Sequence, residues 1–179
     1  TYDRIIEDAT MAAALLPGST PNRMRPSKAA AYALLARTFL AKREYAQALK
    51  YADSSLMLEN TLMDFNSIDP GPTYPIQQEY SYSSEVVYRD MVRTNFFQRS
   101  VSIVDTVLYY SYNDYDLRKN IFFKPKSGTS YYTFNGSYEG SARLFVGIST
   151  SEMYFTRAEC LARQGETGKA MHDLNTIMQ

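Results

Sequence analysis

The stretch Arg25-Pro26-Ser27-Lys28-Ala29-Ala30-Ala31-Tyr32-Ala33-Leu34-Leu35-Ala36-Arg37-Thr38-Phe39-Leu40, continued by Glu44-Tyr45-Ala46-Gln47-Ala48-Leu49, decides the fold. Ser27 behind a proline is a helix N-cap. The alanine-rich run after it predicts a helix over 28–42 that its neighbours approach closely, and a further helix follows over 44–58. Upstream, Tyr2, Ile5, Ile6, Ala9, Ala12, Ala13 and Leu16 recur at three- and four-residue steps. They form one face of a helix over 2–16, which Pro17-Gly18 ends. Near the other end of the sequence, helices are predicted over 151–163 and 167–178, with Gly165 as the C′ stop between them.

The early and late helix pairs superpose at one offset. Tyr32, Ala36, Phe39 and Ala48 find Tyr154, Ala158, Leu161 and Ala170, each 122 positions on. A large residue opening the first helix, a small one at the crossing and an alanine opposite are the spacing of a tetratricopeptide-type hairpin. The second copy departs from the first in two places, with Arg157 for Leu35 and Thr167 for Tyr45. The predicted fold class is mostly α: tetratricopeptide-like helical hairpins with a long, irregular, tyrosine-rich insert containing short strands. The expected organisation is 1–58 helical, 59–150 insert and 151–179 helical, one domain overall.

Within the insert, Pro70-Gly71-Pro72 and Pro75 break any helix. Glu85-Val86-Val87-Tyr88 and Val101-Ser102-Ile103-Val104 read as short strands or turns. Of the 16 tyrosines, 11 fall between Tyr74 and Tyr138. Asn135-Gly136 predicts a two-residue type I′ hairpin loop, with Thr133 opposite Tyr138 and with Tyr132 and Phe134 on the other face.

Composition narrows the function. Hydrophobic residues make up 45% of the 179, so the chain folds rather than staying disordered. Lys plus Arg and Asp plus Glu are 19 each. That balance provides no basic field for nucleic acid. The single Cys160 makes no internal disulfide, and the single His172 has no second histidine for a metal. No cofactor or metal is expected. The chain opens at Thr1 without a signal or lipidation motif and closes inside an amphipathic helix, so it is expected to be a fragment. No apolar run approaches the roughly 20 residues that span a bilayer.

Catalytic candidates are few. His172-Asp173 has no nearby nucleophile and reads as a surface pair. Asp114 and Asp116 can be read as a glycosidase pair or a cation site, but Arg118 pairing with one of them to order a turn suffices. Lys126-Ser127-Gly128 is a turn, not a phosphate loop. Asn135-Gly136-Ser137 is formally an N-glycosylation sequon, for which the turn role again suffices. The chain is therefore not expected to be an enzyme.

The run 25–40, then Tyr45-Ala46-Gln47-Ala48-Leu49-Lys50-Tyr51-Ala52-Asp53, resembles the repeat helices of the SusD/RagB family. Leu15-Leu16-Pro17, Asn113-Asp114-Tyr115-Asp116-Leu117-Arg118 and Ser151-Glu152-Met153-Tyr154-Phe155-Thr156-Arg157-Ala158-Glu159-Cys160 follow in that family's order. The resemblance spans nearly the whole chain and implies a lipid-anchored protein on the outer surface of Bacteroidetes-type bacteria. Its partners would be a glycan, or in some members a peptide, and a TonB-dependent, SusC-like outer-membrane transporter. Membrane attachment would be through a lipid anchor outside this fragment. For such a role, aromatic rings stack on the C–H faces of sugars while hydroxyls, amides and carboxylates bond sugar hydroxyls. Tyr74, Tyr112, Asn113, Tyr131 and Tyr138 are the expected ligand contacts, most of the other insert tyrosines docking the insert itself. The alternative is a helical-repeat adaptor that binds a peptide in the groove of its hairpins.

Overall fold

Leu16 precedes Pro17 and takes an extended backbone, φ −78° and ψ 150°, so the first helix, α1 (Tyr2–Leu15), stops there. The computed structural model describes residues 1–76, 85–92, 102–141 and 143–178. Its contacts group the chain into two compact units. One comprises Thr1–Leu62, Ser84–Arg89 and Gly147–Gln179; the other comprises Met63–Ser83 and Asp90–Val146.

The first unit is helical. After α1 come α2 (Lys28–Ala41) and α3 (Tyr45–Leu56), and later α6 (Thr150–Arg163) and α7 (Thr167–Ile177). Each packs on the next, α1 on α2, α2 on α3, α3 on α6 and α6 on α7, despite the long gap between α3 and α6. Ser27 caps α2 by accepting from the Ala30 amide at 3.1 Å. Alanine makes the close packing possible: Ala29, Ala33, Ala36, Ala48 and Ala52 have no exposed surface. Ser149 caps α6 by accepting from the Glu152 N–H. The two-stranded ribbon β1 (Val86–Tyr88) and β6 (Ile148–Ser149) pairs antiparallel within this unit, and Val87 and Ile148 join the alanine core.

The 122-residue offset is visible in the backbone. In the first hairpin the Glu44 N–H donates to the Phe39 carbonyl at 2.9 Å and the Arg43 N–H to Leu40 at 2.9 Å. In the second, Glu166 donates to Leu161 at 2.9 Å and Gly165 to Ala162 at 3.0 Å. Both are Schellman stops, which need a left-handed residue at C′. Gly165 supplies it at φ 82°, but Arg43 is forced to φ 62°. Arg43→Gly is expected to stabilise the unit by up to about 1 kcal/mol, strain relief exceeding the added unfolded-state entropy. A raised thermal midpoint checks this.

The second hairpin also explains its departure at Arg157. Leu35 and Tyr51 share an apolar cluster in the first hairpin. The positions 122 further on hold Arg157 and Asp173, and the guanidinium grips the carboxylate with two bonds of 2.7 and 2.6 Å. Arg157 also reaches Asp53 on α3 at 3.0 Å. The expectation that His172-Asp173 is a surface pair is therefore half wrong. His172 is exposed, but Asp173 is 2% exposed and bound to Arg157.

The second unit holds a 3-10 turn (Phe65–Ser67), β2 (Met91–Val92), α4 (Thr106–Ser111), α5 (Leu117–Phe122), β3 (Phe123–Pro125), β4 (Tyr132–Phe134) and β5 (Leu144–Phe145). Its core is Met63, Ile68, Ile76 and Ile121, with Phe65, Phe122 and Tyr138 around them. With seven helices and six short strands among the described residues, the fold is mostly α with an irregular insert, as predicted. None of the described helices is long and apolar enough to cross a membrane.

The Asn-Gly hairpin is corrected. β4 pairs antiparallel with β3 upstream, Phe123 opposite Phe134 and Pro125 opposite Tyr132. The turn between them is Lys126–Thr129, with Gly128 at φ 74° supplying the positive φ. Asn135 continues the ladder instead of turning it, its N–H donating to the Phe122 carbonyl at 2.6 Å. Only Gly136 of the pair has positive φ, whereas a type I′ turn needs it at both positions. Asn135 has no exposed surface, which closes the sequon to a modifying enzyme. The stretch 101–104, expected as a short strand or turn, has no regular secondary structure over 102–104, and its Val104 N–H donates to the Tyr132 carbonyl at 2.8 Å. Val101 lies outside the described residues.

Candidate functional site

The second unit contains a cleft of about 360 Å³, within the range of small-ligand sites. β3 and β4 build one wall. Residues two apart on a strand share a face, so the cross-strand pair Phe123 and Phe134 points into the cleft together. Ile103 and Leu108, from the segment that runs into α4, face it, as do Tyr74, Leu144 and the backbone at Gly136. Among the lining residues, Tyr74, Ser102, Asp105 and Ser141 have side chains able to accept hydrogen bonds. Asp105 is also the N-cap of α4, accepting from the Val107 amide at 2.7 Å through one oxygen. The mixture is flat apolar walls with a few hydrogen-bonding groups.

The same face of the β3–β4 ribbon carries an aromatic stack. Tyr109, 8% exposed, lies face to face with Tyr132, ring centroids 3.6 Å apart and planes at 17°. Phe123 meets Tyr109 edge-on at 5.8 Å and Tyr112 edge-on at 5.5 Å. Burial first, then the bond to Tyr132, holds the Tyr109 phenol well above its ordinary range, so it stays neutral. Lys119 stands over the Tyr109 ring at 4.9 Å and bonds Asp114 at 2.6 Å.

The acidic segment is a turn clamp. Arg118 holds Asp116 with two bonds of 2.9 and 2.6 Å, and this pairing keeps the Asp116 carboxyl below the usual carboxylate range. Lys119 does the same for Asp114. Each carboxylate has its own cation, and with both carboxyls held below the usual range neither is kept protonated as a general acid would be. Among the described residues no cluster of His, Cys, Asp and Glu is able to hold a metal ion.

The five tyrosine and asparagine positions expected from sequence are differently placed. Tyr74 lines the cleft. Tyr131, 45% exposed, follows the Lys126–Thr129 turn. Tyr112 and Tyr138 are half-buried and both neighbour Arg118, Tyr112 with the guanidinium 5.9 Å from its ring centre. Tyr138 also packs edge-on against Phe145 at 5.1 Å. Asn113 is exposed, and its side chain accepts from the Tyr115 N–H at 2.9 Å, which shapes the turn. Sequence reasoning passed over Ile103, Asp105, Leu108, Phe134 and Gly136. Asp105 before a helical Thr-Val-Leu run was a legible N-cap; the other four are brought together by pairing distant segments.

Comparisons with known proteins bear on the whole fold. Residues 1–40 match a SusD-like family model described as starch-binding associating with outer membrane. No curated protein matches the chain. Among solved structures, one similar chain is a Bacteroides vulgatus protein provisionally described as sugar-binding. It is 22% identical, with a TM-score of 0.73 over 99% of this chain and 44% of that one. A SusD-like carbohydrate binding protein from the same species is 18% identical, with a TM-score of 0.71 over 99% and 43%. A SusD superfamily protein from Bacteroides thetaiotaomicron is 18% identical, with a TM-score of 0.72 over 98% and 46%. The chain thus spans less than half the length of these structures. Residues 1–40 are similar in sequence to the SusD-like family model, and the fold along nearly all of the chain is similar to that of these SusD-like structures, as the resemblance to the SusD/RagB family implied.

Proposed function

We propose that this protein is a non-catalytic, outer-membrane-associated glycan-binding protein that hands an oligosaccharide to a TonB-dependent, SusC-like transporter. The observation that carries the reading is the aromatic-walled cleft in the second unit, set in a SusD-like fold. Phe123, Phe134 and Tyr74 offer faces to a sugar ring, and Asp105, Ser102 and Ser141 are acceptors for its hydroxyls. Tyr74 at the cleft and the exposed Tyr131 are the proposed ligand contacts of first rank. Tyr112, Asn113 and Tyr138 are proposed contacts of second rank, the two tyrosines beside Arg118 and Asn113 in the turn that precedes α5. The similar structures described as sugar- or carbohydrate-binding support the ligand class. The outer-membrane association in the family description supports a location at that membrane, and surface exposure and lipid attachment are part of the proposal.

The test is calorimetric titration with hexasaccharides of glucose, xylose, mannose and galactose, followed by chromatography of the recovered sugar. Saturable binding of at least one, recovered intact, is the expected result. Shortened products would mean a hydrolase, and no binding by any of the four would remove the glycan reading.

A further inference from the structure

Tyr74 has φ 59°, in the left-handed region. Among the described residues other than glycine it shares a positive φ only with Arg43, whose value is imposed by a helix stop. Glycine or asparagine is the ordinary occupant, and a bulky aromatic residue there is strained. The next residue is Pro75, and a residue before proline is pushed towards negative φ, which adds to the conflict. The ring is also seated in a fitted slot. Gly136 has φ 102°, and a Cβ placed on it would lie 2.7 Å from Cδ1 of Tyr74 and 3.4 Å from the Ser141 carbonyl oxygen. Side chains do not approach so closely, so the tyrosine ring occupies the space a residue at 136 would fill. Both residues line the cleft. Strain of this kind persists where the surroundings over-determine it, and it collects at ligand clamps.

From this we infer that Tyr74 is a pre-set stacking wall for one flat, C–H-faced sugar ring in the cleft, with Gly136 as the residue that positions it. The proposal rests on the glycan reading above and adds to it the ligand's pose and the residue that fixes it. Stacking requires the ring's orientation and not its hydroxyl, and the orientation comes from the backbone at 74 together with the bare Cα at 136. A leucine at 74 fills similar volume but offers no face.

The test has one arm without ligand and one with it. In the first, the Gly136 Hα that faces Tyr74 lies downfield, because it meets the edge of the ring rather than its face, and it returns to an ordinary position in Tyr74→Leu. An ordinary position in the wild type overturns the slot. In the second, the oligosaccharide bound best among the four hexasaccharides is titrated into variants. Tyr74→Phe is expected to bind within about threefold of wild type, and Tyr74→Leu about tenfold or more weaker, the loss of one energetic anchor. Gly136→Ala is expected to match Tyr74→Leu, and the double variant to be no weaker than Tyr74→Leu alone. Multiplying losses mean that Gly136 acts apart from Tyr74 and overturn its positioning role. If Gly136→Ala does not fold, the comparison of Tyr74→Phe with Tyr74→Leu and the ring-current shift still decide. Wild-type affinity in Tyr74→Leu overturns this inference and leaves the glycan reading standing. A wild type that binds none of the four sugars overturns both.

Discussion

Arg157→Leu is expected to destabilise the helical unit by about 3 kcal/mol, because it strands a buried carboxylate. Asp173 is 2% exposed, and its described bonds are the two from Arg157. The Arg157 side chain is 24% exposed, so its own desolvation is partial, which places the effect at the low end for a broken buried pair. The repeat relation supplies a control. The equivalent residues of the first hairpin are Leu35 and Tyr51, which pack together in an apolar cluster. Arg157→Leu with Asp173→Tyr restores that pair at the matching positions and is expected to recover more than half of the loss. Urea denaturation of the single and double variants measures both terms. A loss below about 1 kcal/mol for the single variant would mean that Asp173 finds water or another donor. No recovery in the double would mean that the two hairpins differ in packing at this level.

Phe39→Ala is expected to cost about 3–5 kcal/mol. Phe39 is 8% exposed and lies parallel to Tyr51, rings 5.5 Å apart and planes at 3°. Its buried companions are Ala9, Leu35, Ala48 and Cys160. Three of the four are small and sit on helices already in close contact, so none has atoms with which to refill the space. Ile6, Tyr32, Leu40, Tyr45, Leu49 and Tyr51 border the space, and how far they move into it sets the cost within that range. Cys160 connects this to chemistry: burial, above all, pushes its thiol up to about 11. In Phe39→Ala the thiol should react faster with an added disulfide reagent, as the unit opens more often. A change in thermal midpoint too small to measure, with an unchanged thiol rate, would place Phe39 outside the core.

The helices were legible because their signals are local. Ser27, Pro17 and Gly165 mark caps and stops whose mechanism operates within a turn or two, and the alanine spacing repeats without reference to the insert. The substitution of Arg157 for Leu35 was legible too. Its meaning was not, since it depends on Tyr51 becoming Asp173, a change that matters only once two helices touch. The Asn135-Gly136 reading failed for a comparable reason. The pair has the composition of a tight turn, but the Asn135 N–H is claimed by Phe122 and its side chain is enclosed. The turn formed instead at Gly128, where the chain needed only one positive φ. Choosing among the tyrosines was harder still. Tyr109 and Tyr132 are 23 positions apart and bury one another, whereas Tyr110 and Tyr115, close to Tyr109 in the sequence, are 67% and 93% exposed. Composition does not separate these roles; packing between distant segments does.

The central claim is that the second unit's cleft holds a sugar, and mapping the contact by backbone amide NMR tests it most directly. The protein, labelled with nitrogen-15, is titrated with whichever of the four hexasaccharides binds best. The account predicts that the largest shifts fall at Tyr74, Ile103, Leu108, Phe134 and Gly136, while α2 and α3 remain unmoved. Shifts concentrated along α2 and α3, with the cleft residues silent, would contradict it and place the binding surface in the helical groove.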